Sequence, residues 1–299
     1  MALIALKVDV DTLRGTQQGA LRLADLLERC GARATFLFSL GPDHTGRAIR
    51  RVFRRGFLGK VRRTSVLEHY GLRTLLYGVL LPGPHIGRRG ARAMQQVAEA
   101  GFEVGVHTWD HVRWQDRVAA ADAPWTQREL TLACEQFMQV FGRRPQVHGA
   151  AGWQVNEHVP GLEAQLGFRY ASDTRGRAPF RPQLPQGGAA TVAQLPTTLP
   201  TLDELIGRED LGGEEPVTHL LRECDRVPGD HVFTLHAELE GGAYLAAFER
   251  LLREWRARGY ELTDLASYAG RLHLESLPVA RIVYGTVPGR SGTLALQAA

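Results

Sequence analysis

The stretch LIALKVDVDT, Leu3–Thr12, decides the fold. It reads as a strand heading into a core, yet it finishes on two carboxylates one residue apart, Asp9 and Asp11. Residues i and i+2 of a strand point to the same side, so both acids face one end of the sheet together. Further along the chain the arrangement recurs: FEVGVH closes on His107, RYASD on Asp173 and HVFTLH on His236. Between these runs lie helical patterns, among them GALRLADLLERCG, ARAMQQVAEAG, TQRELTLACEQFMQVFG and AYLAAFERLLREWRARG. Gly31 stands where a helix C-cap belongs, and Thr126 with Glu129 has capping-box spacing. Strand followed by helix, repeated this often, predicts an α/β fold with a mainly parallel sheet. Ionisable residues at the strand C-termini mark the rim where barrels and open α/β sheets gather their active sites. A Pro/Gly-rich stretch at 178–200 reads as an ordered loop.

With 299 residues, 44% of them hydrophobic and 23% charged, the chain can bury one large core, and a single domain over residues 1–299 is the expectation. No apolar run reaches the roughly 20 residues that span a bilayer. The N-terminus lacks the basic n-region and small-residue cleavage site of a signal peptide, so a cytoplasmic protein is expected. Three scattered cysteines, Cys30, Cys134 and Cys224, offer neither a disulfide framework nor a CxxC metal site. The net charge is +4, but eight bases and no acid lie between His44 and Arg63, which leaves −4 for the remainder. The basicity is local.

HTWDH, His107–His111, places two histidines at i and i+4, which on one helical face present two nitrogens to one metal. Capping or surface histidines are the bland reading, with Asp110 as a cap or a supporting partner. Asp9 and Asp11 read alone as a turn or a helix N-cap. Together with the histidines, one carboxylate completes a facial triad, and the other is free to act as general base beside metal-bound water. His236 is a general-acid candidate for a leaving amine, with Asp173 as the group that sets its tautomer. Glu238 and Glu240 belong either to the same mouth or to the surface. GxSxG, P-loop and Rossmann glycine patterns are missing, which leaves metal-assisted hydrolysis of an amide as the chemistry these parts fit best.

DVDT, HTWDH and TLHAELEG, in this order, resemble the polysaccharide deacetylase (NodB-homology) superfamily. FSLGPDHTGR, PGPHIG, AAGWQ, YASDTRG, PFRP, QLPTTLPTLDELIGR and RIVYGTVPGRSG extend the resemblance over nearly the whole chain, toward members that remove formyl from a polyprenyl-phosphate-linked amino sugar in lipid A modification. The resemblance implies a distorted (β/α) barrel binding a divalent metal through Asp11, His107 and His111. It implies Asp9 as general base, His236 as general acid and Asp173 as the partner of that histidine. It also implies a free-amine product that reduces the negative charge of an envelope lipid and favours resistance to cationic peptides. The chain departs from the superfamily where an arginine-proline motif usually steadies the base: here the stretch reads GAAGWQ, and Arg175 is a candidate substitute. Carboxylate plus imidazole suits zinc, manganese, cobalt, nickel or iron alike.

Two other enzyme readings share these residues, an N-acetyl sugar deacetylase and a non-haem iron oxygenase using the same triad. Between about 41 and 90, Val52, Phe53, Phe57, Leu58 and Val61 interleave with the arginines, as in an amphipathic element lying on a surface. The expected partners are therefore a lipid-linked amino-sugar substrate and an anionic membrane surface, at the inner face of the cytoplasmic membrane. A solvated basic helix or a nucleic-acid patch is the alternative, though the aromatic interleaving typical of single-strand binding is thin, and no nucleic-acid partner is expected.

Overall fold

The computed structural model describes residues 2–48 and 72–298. The centre of the basic insert expected at 41–90, residues 49–71 with Arg50, Arg51, Arg54, Arg55, Lys60, Arg62 and Arg63 and the interleaved apolar residues, lies outside the described residues.

Eight strands form the main sheet: β1 (Leu3–Val10), β2 (Thr35–Ser39), β3 (Glu103–Thr108), β4 (Val147–His148), β5 (Tyr170–Ala171), β6 (Ala193–Gln194), β7 (His231–His236) and β8 (Glu261–Thr263). All pair in parallel, in the order β6-β5-β4-β3-β2-β1-β7. β8 adds to the lower half of β1, at Leu3–Ala5, on the part that β2 leaves free by pairing only Lys7–Val10. β6 arises inside the stretch read as a loop; two residues are too few to show any periodicity. The two edges of the curled sheet meet just after β6. There Thr198 donates its backbone N–H to the Val232 carbonyl at 3.0 Å, and its hydroxyl accepts from Val232 N at 3.0 Å. A seam of this kind, in place of a full ladder, makes the barrel a distorted one, as expected.

β1 shows how the alternation works. Ile4, Leu6, Val8 and Val10 pack outward into the large cluster shared with the helices, while Leu3 and Ala5 face inward with Leu37, Val147, Tyr170, Leu195 and Val232. The same inward side continues upward as Lys7, Asp9 and Asp11, all buried. The interior is thus apolar at the bottom and ionic at the top. Around the sheet lie α1 (Ala20–Arg29), α2 (Ala91–Glu99), α3 (His111–Arg117), α4 (Ala123–Phe141), α5 (Val159–Leu166), α6 (Pro216–Arg226) and α7 (Leu245–Ala257). Full burial of a large apolar side chain, as for Phe248 and Trp255 of α7, is worth about 1.5–3 kcal/mol each.

α1 stops where expected, with Gly31 just past its end in the left-handed region at φ 59°. α4 begins three residues before the expected capping box. Its N-cap is Asp122, which accepts from Trp125 N at 2.9 Å, and Pro124 occupies the first turn. Thr126 instead donates its hydroxyl back to the Asp122 carbonyl, and Glu129 is taken by Arg113. The C-terminal strand pair Ile282–Gly285 and Leu294–Gln297 folds back toward the rim, where Arg175 donates its backbone N–H to the Ala295 carbonyl at 2.9 Å and its carbonyl accepts from Gln297 N at 2.8 Å.

Candidate active site

Asp11 lies at the top of β1, His107 near the end of β3 and His111 at the first turn of α3. The Asp11 Oδ1 atom is 3.2 Å from His107 Nε2 and 3.4 Å from His111 Nε2. The two histidines do not share a helical face. His107 is still in the strand, and Asp110 caps the helix by accepting from Arg113 N at 3.1 Å, so a strand-turn-helix corner brings the rings to 5.4 Å. The structure resolves the role of Asp110: it is a buried cap that also takes His44 Nδ1 at 2.6 Å.

These three side chains fit a cation. His107 Nδ1 is 2.6 Å from the Gly149 carbonyl, which can only accept, so the proton sits on Nδ1 and the Nε2 lone pair faces Asp11. Asp11 Oδ1 is buried with no hydrogen-bond partner. Lone pairs converging on one point without a donor are repulsive until a positive charge stands among them, and the three ligand atoms lie within 4.8 Å of one another. Burial pushes the Asp11 carboxyl up, but the imidazoles of His111 and His107 beside it outweigh that and hold the group well below the usual carboxylate range.

Asp9 sits one step below, its Oδ1 3.8 Å from His107 Nδ1 and without a hydrogen-bond partner. Lys7 is the cation against it. This fully buried ammonium lies 3.5 Å from Asp9 Oδ2, donates to the Ser172 carbonyl at 2.8 Å and stands 5.4 Å from the centre of the Trp153 ring. Arg175 does not reach Asp9. Its guanidinium pairs with Glu204 at 2.5 Å and donates to the Leu199 carbonyl at 2.9 Å. The signal for Lys7 was present in the sequence, since it is two residues before Asp9 on the same strand side.

β1 and β7 pair in a register that sets Asp9 beside His236. The expected partnership of His236 with Asp173 is not what the structure holds: Asp173 is buried one strand pair away against His148, and the carboxylate near His236 Nδ1 is Asp203 Oδ1, at 3.8 Å. Asp203 comes from the loop and short helix after the barrel seam, and nothing in its sequence spacing ties it to a residue 33 positions later. Trp153, a non-glycine residue at φ 52°, presents its ring edge-on to His236 at 6.3 Å and donates Nε1–H to Thr197 Oγ1 at 3.1 Å. Arg175 and Arg290 stand 5.1 and 4.6 Å from the centre of the same ring.

Glu238 and Glu240 are not surface residues. Glu238 Oε1 accepts from Asp11 N, Thr12 N and Thr12 Oγ1 at 3.2, 2.9 and 2.7 Å, pinning the turn that carries both aspartates. A Cβ at Gly15 would fall 1.9 Å from that oxygen, so only glycine fits there. Glu240 Oε2 accepts from His236 N at 2.8 Å. Burial, and for Glu238 then the Asp11 carboxylate, push both glutamates up to about 8.

A curled parallel sheet with a carboxylate-histidine cluster at the strand ends matches what sequence comparison finds. The sequence model described as polysaccharide deacetylase matches residues 4–171, and the chain belongs to that family. Its relatives include a Shewanella sediminis (strain HAW-EB3) protein named "Probable 4-deoxy-4-formamido-L-arabinose-phosphoundecaprenol deformylase ArnD", 32% identical over 99% of this chain and 94% of the relative. A Wigglesworthia glossinidia brevipalpis protein of the same name is 30% identical over 95% of this chain and 98% of its own. Among solved structures, one from Mycobacterium smegmatis described as a polysaccharide deacetylase superposes with a TM-score of 0.65 at 18% identity, covering 96% of each chain.

Proposed function

We propose that this chain is one catalytic domain, a metal-dependent amide hydrolase that removes formyl from undecaprenyl-phosphate-linked 4-deoxy-4-formamido-L-arabinose, releasing formate and the free amine. The observation that carries the reading is the meeting of Asp11, His107 and His111 around one point, with Asp9 and His236 on adjoining strands beside it. Full-length similarity to relatives named as deformylases supports the substrate. A divalent cation held by these three residues would polarise the formyl carbonyl and make water acidic enough to attack at neutral pH. Asp9 takes the proton of the attacking water, and Lys7 steadies the carboxylate that does so. His236 gives a proton to the departing nitrogen, with Asp203 facing its other ring nitrogen. The Gly149 carbonyl keeps His107 in the tautomer whose Nε2 can bind metal.

The enzyme works at the inner face of the cytoplasmic membrane. Among the described residues no helix is long and apolar enough to cross a bilayer. What supports surface attachment is the tip after Gly78, where Val79, Leu80 and Leu81 are 46%, 75% and 39% exposed, next to Arg47, whose Nε donates to the Gly78 carbonyl at 3.0 Å. This tip packs on the 41–47 loop, which reaches the rim through Asp43 and Leu13 and through His44 and Asp110. Each base near an anionic leaflet adds about 1 kcal/mol before screening. The test is formate release from the lipid-linked substrate by metal-loaded protein, beside the acetamido analogue. Formate release that collapses in Asp9→Ala supports the reading, equal or faster acetate release favours a deacetylase, and no turnover of either substrate refutes both.

A further inference from the structure

A second cluster of ionisable groups lies behind the site, and the reaction as described does not use it. His148 of β4, Glu163 of α5 and Asp173 after β5 are all fully buried. His148 Nδ1 is 2.7 Å from Glu163 Oε1 and 3.1 Å from Asp173 Oδ1. Three ionisable side chains sealed from water cost several kcal/mol unless they compensate one another. They do: burial and then Asp173 act on His148 in opposite senses, and the carboxylates win, pushing the imidazole up to about 10. Asp173 is correspondingly drawn down to about 2, burial being outweighed by His148. Glu163, buried beside the Asp173 charge, is pushed well above its ordinary range. The compensation is centred on His148 Nδ1, which faces both acids, while His148 Nε2 and Glu163 Oε2 are buried without a hydrogen-bond partner among the described residues.

The carboxylate has two further attachments. Asp173 Oδ1 accepts from Ala150 N at 2.7 Å, and Oδ2 accepts from Gln194 Nε2 at 2.5 Å. Ala150 is bonded to Gly149, whose carbonyl receives His107 Nδ1. Ser172, bonded to Asp173, accepts from Lys7 Nζ through its carbonyl and donates its own N–H to the His148 carbonyl, at 2.8 Å each. Two backbone carbonyls that orient site residues are therefore each one peptide unit from the same buried ion pair.

We propose that His148, Asp173 and Glu163 form a positioning triad that fixes the Gly149 and Ser172 carbonyls, and through them the metal-facing nitrogen of His107 and the ammonium of Lys7. The proposal rests on the reading of Asp11, His107 and His111 as metal ligands. It gives Asp173 a role different from the one its sequence position suggests: it acts on the ligand side of the centre, not on the general acid. The three side chains also have the spacing of a cation site. Both oxygens of Asp173 already accept an N–H, however, and His148 Nδ1 stands at hydrogen-bond distance from both acids, which is a geometry for a proton.

The experiment titrates metal-free protein with cobalt(II) and reads both the dissociation constant and the visible absorption of the bound ion. Wild type, Asp173→Ala, Asp173→Asn, His148→Gln and a destabilised control far from the site, Phe248→Leu, are compared together with their melting temperatures. Asp173→Ala and His148→Gln should bind cobalt at least tenfold more weakly, with an altered spectrum, as loss of a ligand-orienting partner does. Asp173→Asn, which keeps an acceptor for Ala150 N, should recover much of that loss, and Phe248→Leu should bind like wild type whatever its melting temperature. Unchanged cobalt affinity and spectrum in both His148→Gln and Asp173→Ala overturns the triad, as does affinity that merely follows melting temperature across the set. A second equivalent of cobalt that disappears in Glu163→Gln overturns it in favour of a metal site. Wild type that binds no cobalt overturns the metal reading and the triad together.

Discussion

Lys7→Met removes a buried charge with little change of volume, and its cost can be worked from the structure. The ammonium is 3.5 Å from Asp9 Oδ2, both side chains being shut off from solvent. With an effective dielectric of about 20, Coulomb's law gives about 5 kcal/mol for that separation. Breaking a buried pair by deleting one partner typically costs about 3–5 kcal/mol, because the remaining charge is left without compensation. The Ser172 carbonyl also loses its donor, adding about 1–3 kcal/mol if water does not replace it. Lys7→Met should therefore lose at least about 3–5 kcal/mol in urea denaturation of the metal-free protein. The double variant Lys7→Met/Asp9→Asn should be more stable than Lys7→Met alone, since the orphaned charge is gone. Formate release should drop in the single variant even at temperatures where it is fully folded. If Lys7→Met costs as much on an Asp9→Asn background as on wild type, the two residues are not coupled and the reasoning is wrong.

Asp203→Asn should lower formate release by about 10- to 100-fold with little change in metal affinity, because it faces the proton donor and not the ligands; an unaltered rate removes Asp203 from the reaction. The folded chain keeps protons on Glu163 and His148 above their unfolded values of 4.5 and 6.5, the latter up to about 10, so it binds more protons than the unfolded chain and these groups make stability fall as pH rises across that window. Glu163→Gln removes one of those protons from the balance and should flatten the decline that sets in as pH rises above the ordinary glutamate value of 4.5, read in denaturant midpoints; parallel slopes for the two proteins contradict the assignment. Leu80→Asp should weaken sedimentation with anionic vesicles by about tenfold or more, given about 1.5–3 kcal/mol for burying a leucine, and leave turnover of a detergent-dispersed substrate intact. Gly15→Ala drives a methyl group into the Glu238 carboxyl and should cost about 1–3 kcal/mol in thermal or urea unfolding, with reduced activity; a wild-type melting curve would show that the turn relaxes freely.

Much of the site was legible before any coordinates because β1 alternates strictly. Period two fixes Asp9 and Asp11 on one side, and the same rule extended two residues back gives Lys7. The HTWDH spacing likewise announced two imidazoles, although the turn that unites them is a strand-to-helix corner and not one helical face. Glu238 was harder to read, since an acid two residues past the strand end looks like a solvated turn until the DxDT backbone is seen to fill its oxygen with donors.

The sequence by itself determined which residues share a strand side and which strand ends carry ionisable groups, because bonded geometry enforces that alternation whatever surrounds it. Only the tertiary structure decided who meets whom across strands. Asp173 and Asp203 are both acids upstream of His236, and it is the seam after β6, joining Thr198 to Val232, that carries Asp203 to the histidine and leaves Asp173 with His148 and Glu163. Such pairings depend on how the sheet curls and where the chain crosses its open edge, and side-chain spacing along one strand does not encode either.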